Sequence, residues 1–546
     1  MCTEGSFVKR TKRFLIGLLA ALGVFFGSLG LAACGETDDS SLESSSSIEA
    51  DSHIEEGATQ HLRYQKIKDK EEYAVTGIGS ATAKDIVISS TYDGLPVTRI
   101  ESSAFTDCVN IKSVTIPGSV LSIGYKSFQS CRNLTSVNIP DSVTTIESSV
   151  FEGCESLQSI TIPGSVKNIG STSFFRCSSL TSVTLLDGVK TIAANVFNGC
   201  RSLKNLTLSE TLTSIGDNAF GYCGLTSLSL PNSVKTIGYR AFYYCENLVS
   251  ATLGESTTTI GISAFEGCNG LQFKTFDNQK YLPSRTNDYF ALIEAENKDL
   301  SGYTIHNDTK IIANAAFSGC PNLTSIVVPN GVSSIGLNAF EYCENLTSVT
   351  LPIGTKSIAA YAFYFCPKLT NITLPDGLKS IGKFAFSGCM SLPNVVFPDS
   401  VTSIGEQAFS YCESFTSVTI PDSVTTMSYD AFAYCTNLES AVIGKGLTSI
   451  SRQAFGYCSK LTSVTILGNV KTIGTYAFYK CSSLANVTIP ASVTKISKNA
   501  FSGCSALTDI TFGGTKAQWS AIAITNPWKD GVPAEKIVCS DGDVAL

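Results

Sequence analysis

Histidine is almost missing from this chain. Only His53, His61 and His306 occur in 546 residues, and none lies in a context suited to a general base or a metal ligand. The twenty cysteines include no Cys-x-x-Cys pair and no Cys/His cluster, so the usual zinc spacings are missing too. Charged residues make up only 16% of the chain and form no basic stripe, which argues against a nucleic-acid partner. There is no Gly-rich phosphate loop. The carboxylate pairs Asp38-Asp39 and Glu55-Glu56 fall in polar sequence too flexible to hold a reacting geometry. The sequence therefore offers no foothold for catalysis, and neither cofactor nor metal is expected.

Long apolar runs are also scarce, with one informative exception. Basic residues Lys9, Arg10, Lys12 and Arg13 precede a twenty-residue apolar run from Phe14 to Ala33, and Cys34 follows. Such a run is long enough to cross a bilayer. The sequence Leu31-Ala32-Ala33-Cys34-Gly35 resembles the lipobox of bacterial lipoproteins, which implies cleavage before Cys34 and lipidation of that residue. The other reading is a retained helix whose basic flank stays inside. Both place the rest of the chain outside the cytoplasm. Residues 35–58 carry eight acids and no Lys or Arg, the composition of a solvated tether. The full chain is at −7, and the acids are so concentrated in the tether that the remainder is nearly neutral.

What the sequence has in abundance is a period. A Phe three residues before a Cys recurs seventeen times, with the cysteines at 108, 131, 154, 177, 200, 223, 245 and 268, then at 320, 343, 366, 389, 412, 435, 458, 481 and 504. All but two steps are 23 residues; one is 22, and the step from 268 to 320 is 52. A fixed period of this length signals a solenoid whose repeats bury their apolar faces against neighbours. Within a repeat, Val137 and Ile139 flank a polar residue, the alternation of a short strand, and Pro140 ends it. The Phe-Cys segment is expected to be a tight turn or a single helical turn. Glycines just after the second Ile, as at 124, 170 and 216, suit a positive φ. Stacked at about 4.8 Å, the coils form an elongated, curved rod roughly 90 Å long with a parallel sheet along one face.

The phrase Leu-Thr-Ser-Val-Thr-Ile-Pro-x-Ser-Val-x-x-Ile-Gly-x-x-Ala-Phe-x-x-Cys resembles the repeat of bacterial BspA-like leucine-rich repeat proteins. The resemblance spans about residues 73–546, from Tyr73-Ala-Val-Thr-Gly to Gly513-Gly-Thr-Lys-Ala-Gln-Trp519. It implies a leucine-rich repeat solenoid, a curved right-handed rod of about 17–19 coils of 23 residues with one short parallel strand plus a turn or short helix per coil. The expected organisation is a lipoprotein signal peptide at 1–33, a tether at 34–58 and a lead-in cap at 59–100. Repeat blocks follow at 101–270 and 311–510, separated by divergent repeats with an inserted loop at 271–310, and a C-terminal cap closes the chain at 511–546. The 271–310 segment reads equally as a hinge. The resemblance also implies a non-enzymatic scaffold for adhesion.

Exported cysteines usually form disulfides, but here seventeen occupy one register, where parallel side chains would have to twist to bond. Buried thiols acting as small hydrophobes are expected.

Two surfaces could bind. One is the outward row of the sheet, an uncharged ribbon including Thr115, Thr161, Thr350, Thr465 and Thr488. The other is the position before the ladder cysteine, aromatic at Tyr222, Tyr244, Tyr342, Phe365, Tyr411, Tyr434 and Tyr457 and Gly at 153, 199, 267, 319, 388 and 503. An aromatic stripe with polar handles is a recognition composition, although packing on the convex side gives the same pattern. The expectation is a lipid-anchored bacterial surface protein that binds an extracellular protein, a host or matrix component or another cell. A glycan- or envelope-polymer-binding module and a structural spacer are the alternatives.

Overall fold

The computed structural model describes residues 53–546. Cys34, the apolar run and most of the tether lie outside the described residues. The chain divides into two units, Met1–Ala50 and Asp51–Leu546, and the described residues lie in the second.

A single coil shows how the repeat folds. Ser159–Ile162 is extended, with Ile160 and Ile162 buried and Ser159 and Thr161 exposed, as alternation of β-branched residues requires. Pro163 ends the strand, and its carbonyl accepts from Val166 N–H to close a turn. A second strand of two residues follows, Asn168–Ile169, pairing parallel with Thr191–Ile192 so that Ile169 faces Ile192. There are thus two strands per coil where the sequence suggested one. The arm from Gly170 to Cys177 is a run of tight turns with no helix. Thr172 and Arg176 sit at φ of 58° and 59°, and a left-handed residue at each end of the arm prevents helical continuation. Among the described residues the only α-helix is Lys516–Ser520.

In the first coils the short second strands join an eleven-stranded sheet that begins at Arg63–Lys66 and ends at Thr259–Ile260, and in the later coils they form three further sheets. The first strands form a parallel row of smaller sheets, for example Ser159–Ile162, Ser182–Leu185 and Asn205–Thr207 in strict register. Between the rows lie the arms. Phe105 through Phe265 stack in one ladder and Phe317 through Phe501 in another, ring centroids 5.1–5.6 Å apart.

Glycine enters differently from the sequence expectation. Gly124, Gly170 and Gly216 do not adopt positive φ; a Cβ on Gly170 would lie 2.4 Å from the Glu147 carbonyl group of the coil before. Glycine there permits close approach. Glycine takes a left-handed position before the cysteine instead, where Gly153, Gly199 and Gly267 have φ of 71°, 82° and 77°.

Two flaws interrupt the stack. Pro393 takes the place of Thr347 and Thr370, and Thr370 N–H donates to the Thr347 carbonyl. Proline has no such proton, and Asn394–Phe397 form no strand. Asn394 compensates with its side chain, accepting from Thr416 and Ser417 N–H at 2.8 and 3.0 Å. The larger flaw lies between Cys268 and Cys320. A hairpin of Lys274–Phe276 and Gln279–Leu282 is inserted there. Leu292 pairs with Ile312 only 20 residues on, three short of a full coil, and the short arm between them has neither Phe nor Cys. The buried core accordingly falls into two clusters that part at this seam.

Candidate functional site

The position before the cysteine is left-handed in every coil that carries an aromatic residue there: Tyr222 φ 57°, Tyr244 φ 53°, Tyr342 φ 56°, Phe365 φ 56°, Tyr411 φ 60°, Tyr434 φ 63° and Tyr457 φ 63°. An L-residue in this region costs about 1–2 kcal/mol relative to the right-handed one, a cost that glycine avoids. Six coils use Gly, so the fold does not require aromatic rings here. The rings also stay out of the core: Tyr222, Tyr244 and Tyr342 are 46%, 39% and 40% exposed.

The seven residues do not make one stripe. Gly267, Gly319 and Gly388 divide them into three groups. Tyr222 stacks on Tyr244 at 5.7 Å. Tyr342 meets Phe365 tilted at 5.8 Å. Tyr411, Tyr434 and Tyr457 form the tightest group, with centroids 4.5 and 4.4 Å apart and interplanar angles of 4° and 9°. Burial and the flanking phenols push the Tyr434 hydroxyl well above the usual tyrosine range, and burial raises Tyr411. Both therefore remain hydrogen-bond donors at neutral pH.

Each group has partners that the sequence reading passed over. Tyr243, Tyr364 and Tyr479, each in the next coil and one column earlier, meet Tyr222, Tyr342 and Tyr457 edge-on at 5.6, 5.5 and 5.3 Å. Arg240 lies 4.3 Å from the Tyr243 ring centre and 5.0 Å from that of Tyr239. Lys480, in the stripe's own position one coil beyond Tyr457, places its ammonium 5.5 Å from both the Tyr457 and the Tyr479 rings. These contacts join residues in one column or in columns one or three residues apart within the arm. The same 23-residue alignment would have shown them had it been extended to those columns.

The Thr ribbon lies where expected on the outward face of the first strands, with Thr115, Thr161, Thr350, Thr465 and Thr488 exposed. Its apolar members stand out in water, Val327 at 64% and Val396 at 85% exposure.

His306 packs flat on Tyr289 at 3.9 Å and edge-on to Phe276. His53 contacts Asp93. Glu55 is not loose: its carboxylate accepts from Ser90 Oγ at 2.5 Å. Among the described residues no group of three or more His, Cys, Asp or Glu could hold a metal. No helix of these residues is long and apolar enough to cross a membrane. No disulfide joins the eighteen described cysteines, and all are buried.

The repeated Leu, Val, Ile and Phe rungs, wound with one coil per 23 residues and two parallel strands per coil, define a leucine-rich repeat solenoid. The family described as BspA type leucine rich repeat region matches residues 98–223, 168–291, 296–415 and 425–526. The chain belongs to this family. Among solved structures, it is similar to a leucine-rich repeat protein from Bacteroides ovatus, at 24% identity over 84% of this chain and 88% of that one, TM-score 0.33. It is also similar to a leucine rich cell surface protein from Faecalibacterium prausnitzii, at 25% identity over 87% of this chain and 98% of that one, TM-score 0.33. A third, a leucine-rich repeat protein from Eubacterium ventriosum, is 19% identical over 67% of this chain and 91% of that one, TM-score 0.30. No curated protein matches the chain.

Proposed function

We propose that this chain is a non-enzymatic, surface-displayed binding protein, lipidated at Cys34, that adheres to an extracellular protein through the aromatic groups along its arms. The observation that supports this most is the Tyr411, Tyr434 and Tyr457 stack with Lys480 at its end. Three tyrosines held in left-handed backbone cost about 3–6 kcal/mol relative to glycine, more than the roughly 1–3 kcal/mol that their two stacked pairs return. Stability alone does not account for them, and tyrosines with a neighbouring cation are a common composition of protein-binding hot spots.

The stack also favours protein over glycan. Tyr434 has both faces covered, by Tyr411 at 4.5 Å and Tyr457 at 4.4 Å. What the group offers is a row of ring edges and phenol hydroxyls, suited to hydrogen bonding with a polypeptide and poorly suited to laying a sugar ring on an aromatic face.

The test is surface plasmon resonance of the chain against a panel of matrix proteins and glycans, with Tyr411→Ala/Tyr434→Ala/Tyr457→Ala as the variant. Saturable binding to a protein, weakened at least tenfold in the variant, supports the reading. Binding to glycans only, or an unchanged affinity, rejects it.

A further inference from the structure

The arms carry a second regularity. In all but one, three N–H groups donate to carbonyls of the segment that follows: those of the left-handed residue two before Phe, of Phe itself and of the residue before Cys. Arg240, Phe242 and Tyr244 donate in this way to Ile262, Ala264 and Glu266 at 3.0, 2.8 and 2.8 Å. Phe105 starts a column of seven such bonds that ends on the Ala264 carbonyl. Peptide dipoles aligned head to tail add, as in a helix, leaving positive potential at the N–H end.

That end lies at the seam. Ser263, Phe265 and Gly267 are the one arm of the seventeen whose three N–H groups have no hydrogen-bond partner among the described residues. The arms on either side of the seam are joined at their root, where Asn314 N–H donates to the Ile260 carbonyl at 3.0 Å, and then part. The cleft between them has a volume of about 630 Å³ and is lined by Ser263, Phe265 and Gly267 on one wall and by Ile293, Lys298 and Ser318 on the other. The far wall is already satisfied: Ala295 N–H donates to the Ala316 carbonyl at 2.8 Å, and Lys298 Nζ to the Ser318 carbonyl at 2.7 Å. Only the near wall is open.

The chain itself shows what closes such an arm. At the last coil, the N–H groups of Asn499, Phe501 and Gly503 donate to the carbonyls of Pro527, Trp528 and Asp530. The Trp528 ring meets Phe501 edge-on at 6.1 Å. An irregular segment with a central aromatic residue thus satisfies the triplet and covers the terminal Phe. At the seam, Phe265 stacks on Phe242, with no ring on its other side among the described residues.

We propose that the seam cleft binds a short peptide segment of a partner protein, whose carbonyl oxygens accept from the Ser263, Phe265 and Gly267 N–H groups and which inserts an aromatic side chain beside Phe265. The volume is that of an ordinary ligand site, and pairing open backbone donors with a peptide's carbonyls is an established recognition mode. The site adjoins the Tyr222 and Tyr244 group, since a Cβ on Gly267 would lie 2.6 Å from the Tyr244 ring, and is separate from the Tyr411, Tyr434 and Tyr457 stack.

The test is residue-resolved hydrogen exchange of the full chain, with the capped peptide acetyl-Asn-Pro-Trp-Lys-Asp-Gly-amide as probe. In the free chain the amides of Ser263, Phe265 and Gly267 exchange at least a hundredfold faster than that of Phe242. Saturating peptide slows them at least tenfold, and replacing its Trp by Gly abolishes the effect. Ser318→Trp, which fills the cleft, blocks protection while melting at the parent temperature. Tyr411→Ala/Tyr434→Ala/Tyr457→Ala leaves protection intact, so this proposal and the adhesive one fail separately. Amides already protected in the free chain, no response to the peptide, or equal protection by inorganic phosphate alone would each overturn it, the last by showing a simple anion site.

Discussion

The thiol of Cys177 donates to the backbone carbonyl oxygen of Phe151, one coil earlier, at 3.2 Å. The same bond recurs from Cys131 to Phe105 and so on to Cys504 and Phe478, broken only at the seam, where Cys320 approaches the Tyr303 hydroxyl instead. Cysteine is thus more than a small hydrophobe here, because it satisfies a buried acceptor. Cys177→Ala should cost about 1–2 kcal/mol, a lost hydrogen bond plus a small void. Cys177→Ser should cost more, since the shorter C–O bond leaves the hydroxyl out of reach of Phe151 and unsatisfied. Urea denaturation of the two variants checks the order.

Buried thiols also predict behaviour in alkali. Burial pushes Cys343, Cys389 and Cys435 up to about 12, and Cys177 and Cys223 higher still. An unfolded thiol titrates near 8.5. The unfolded chain therefore releases protons first, so these groups contribute full stability below about pH 8.5 and lose it as pH rises toward 12. The midpoint of urea unfolding should fall steadily from pH 9 to 11, and these five thiols should not react with a disulfide reagent at pH 8 until the chain is unfolded. Stability unchanged up to pH 11, or prompt labelling of any of these five in native chain, would contradict this.

The seam divides the core, and in a stacked array damage stays local. Denaturation should proceed in two transitions. Phe220→Ala should lower only one and Phe455→Ala only the other, each by about 3–5 kcal/mol. Tryptophan fluorescence reports the second block directly, since both tryptophans, Trp519 and Trp528, are buried at its C-terminal end.

Pro393→Thr should repair the smaller flaw. The regained N–H can donate to the Thr370 carbonyl as Thr370 does to Thr347 at 3.0 Å. Amides of Asn394–Phe397 should then exchange at least tenfold more slowly, while overall stability moves little because proline's restriction of the unfolded chain is lost.

The repeat period made the stacked core legible: Phe, Cys, Leu and Ile rungs all face inward as their alternation and spacing require. The second strand escaped because two residues, such as Asn168–Ile169, are too few to show an alternation. The Cys-to-Phe bond escaped because a thiol's partner 26 residues back leaves no mark in a 23-residue pattern. Glycine misled in one column and spoke plainly in another: six glycines before the cysteine marked the left-handed position that the tyrosines share. The 52-residue step announced the seam, but not that its short arm would leave Ser263, Phe265 and Gly267 unpaired, since that depends on where the inserted hairpin falls.

The measurement that tests the account most directly compares the two exposed faces on one ligand. For a matrix protein bound by the chain, affinities are measured for Tyr434→Ala on the arms and for Thr465→Asp/Thr488→Asp on the sheet face. At least a tenfold loss in the first with less than twofold change in the second is the predicted result. Loss from the sheet-face substitutions with Tyr434→Ala unaffected would contradict it.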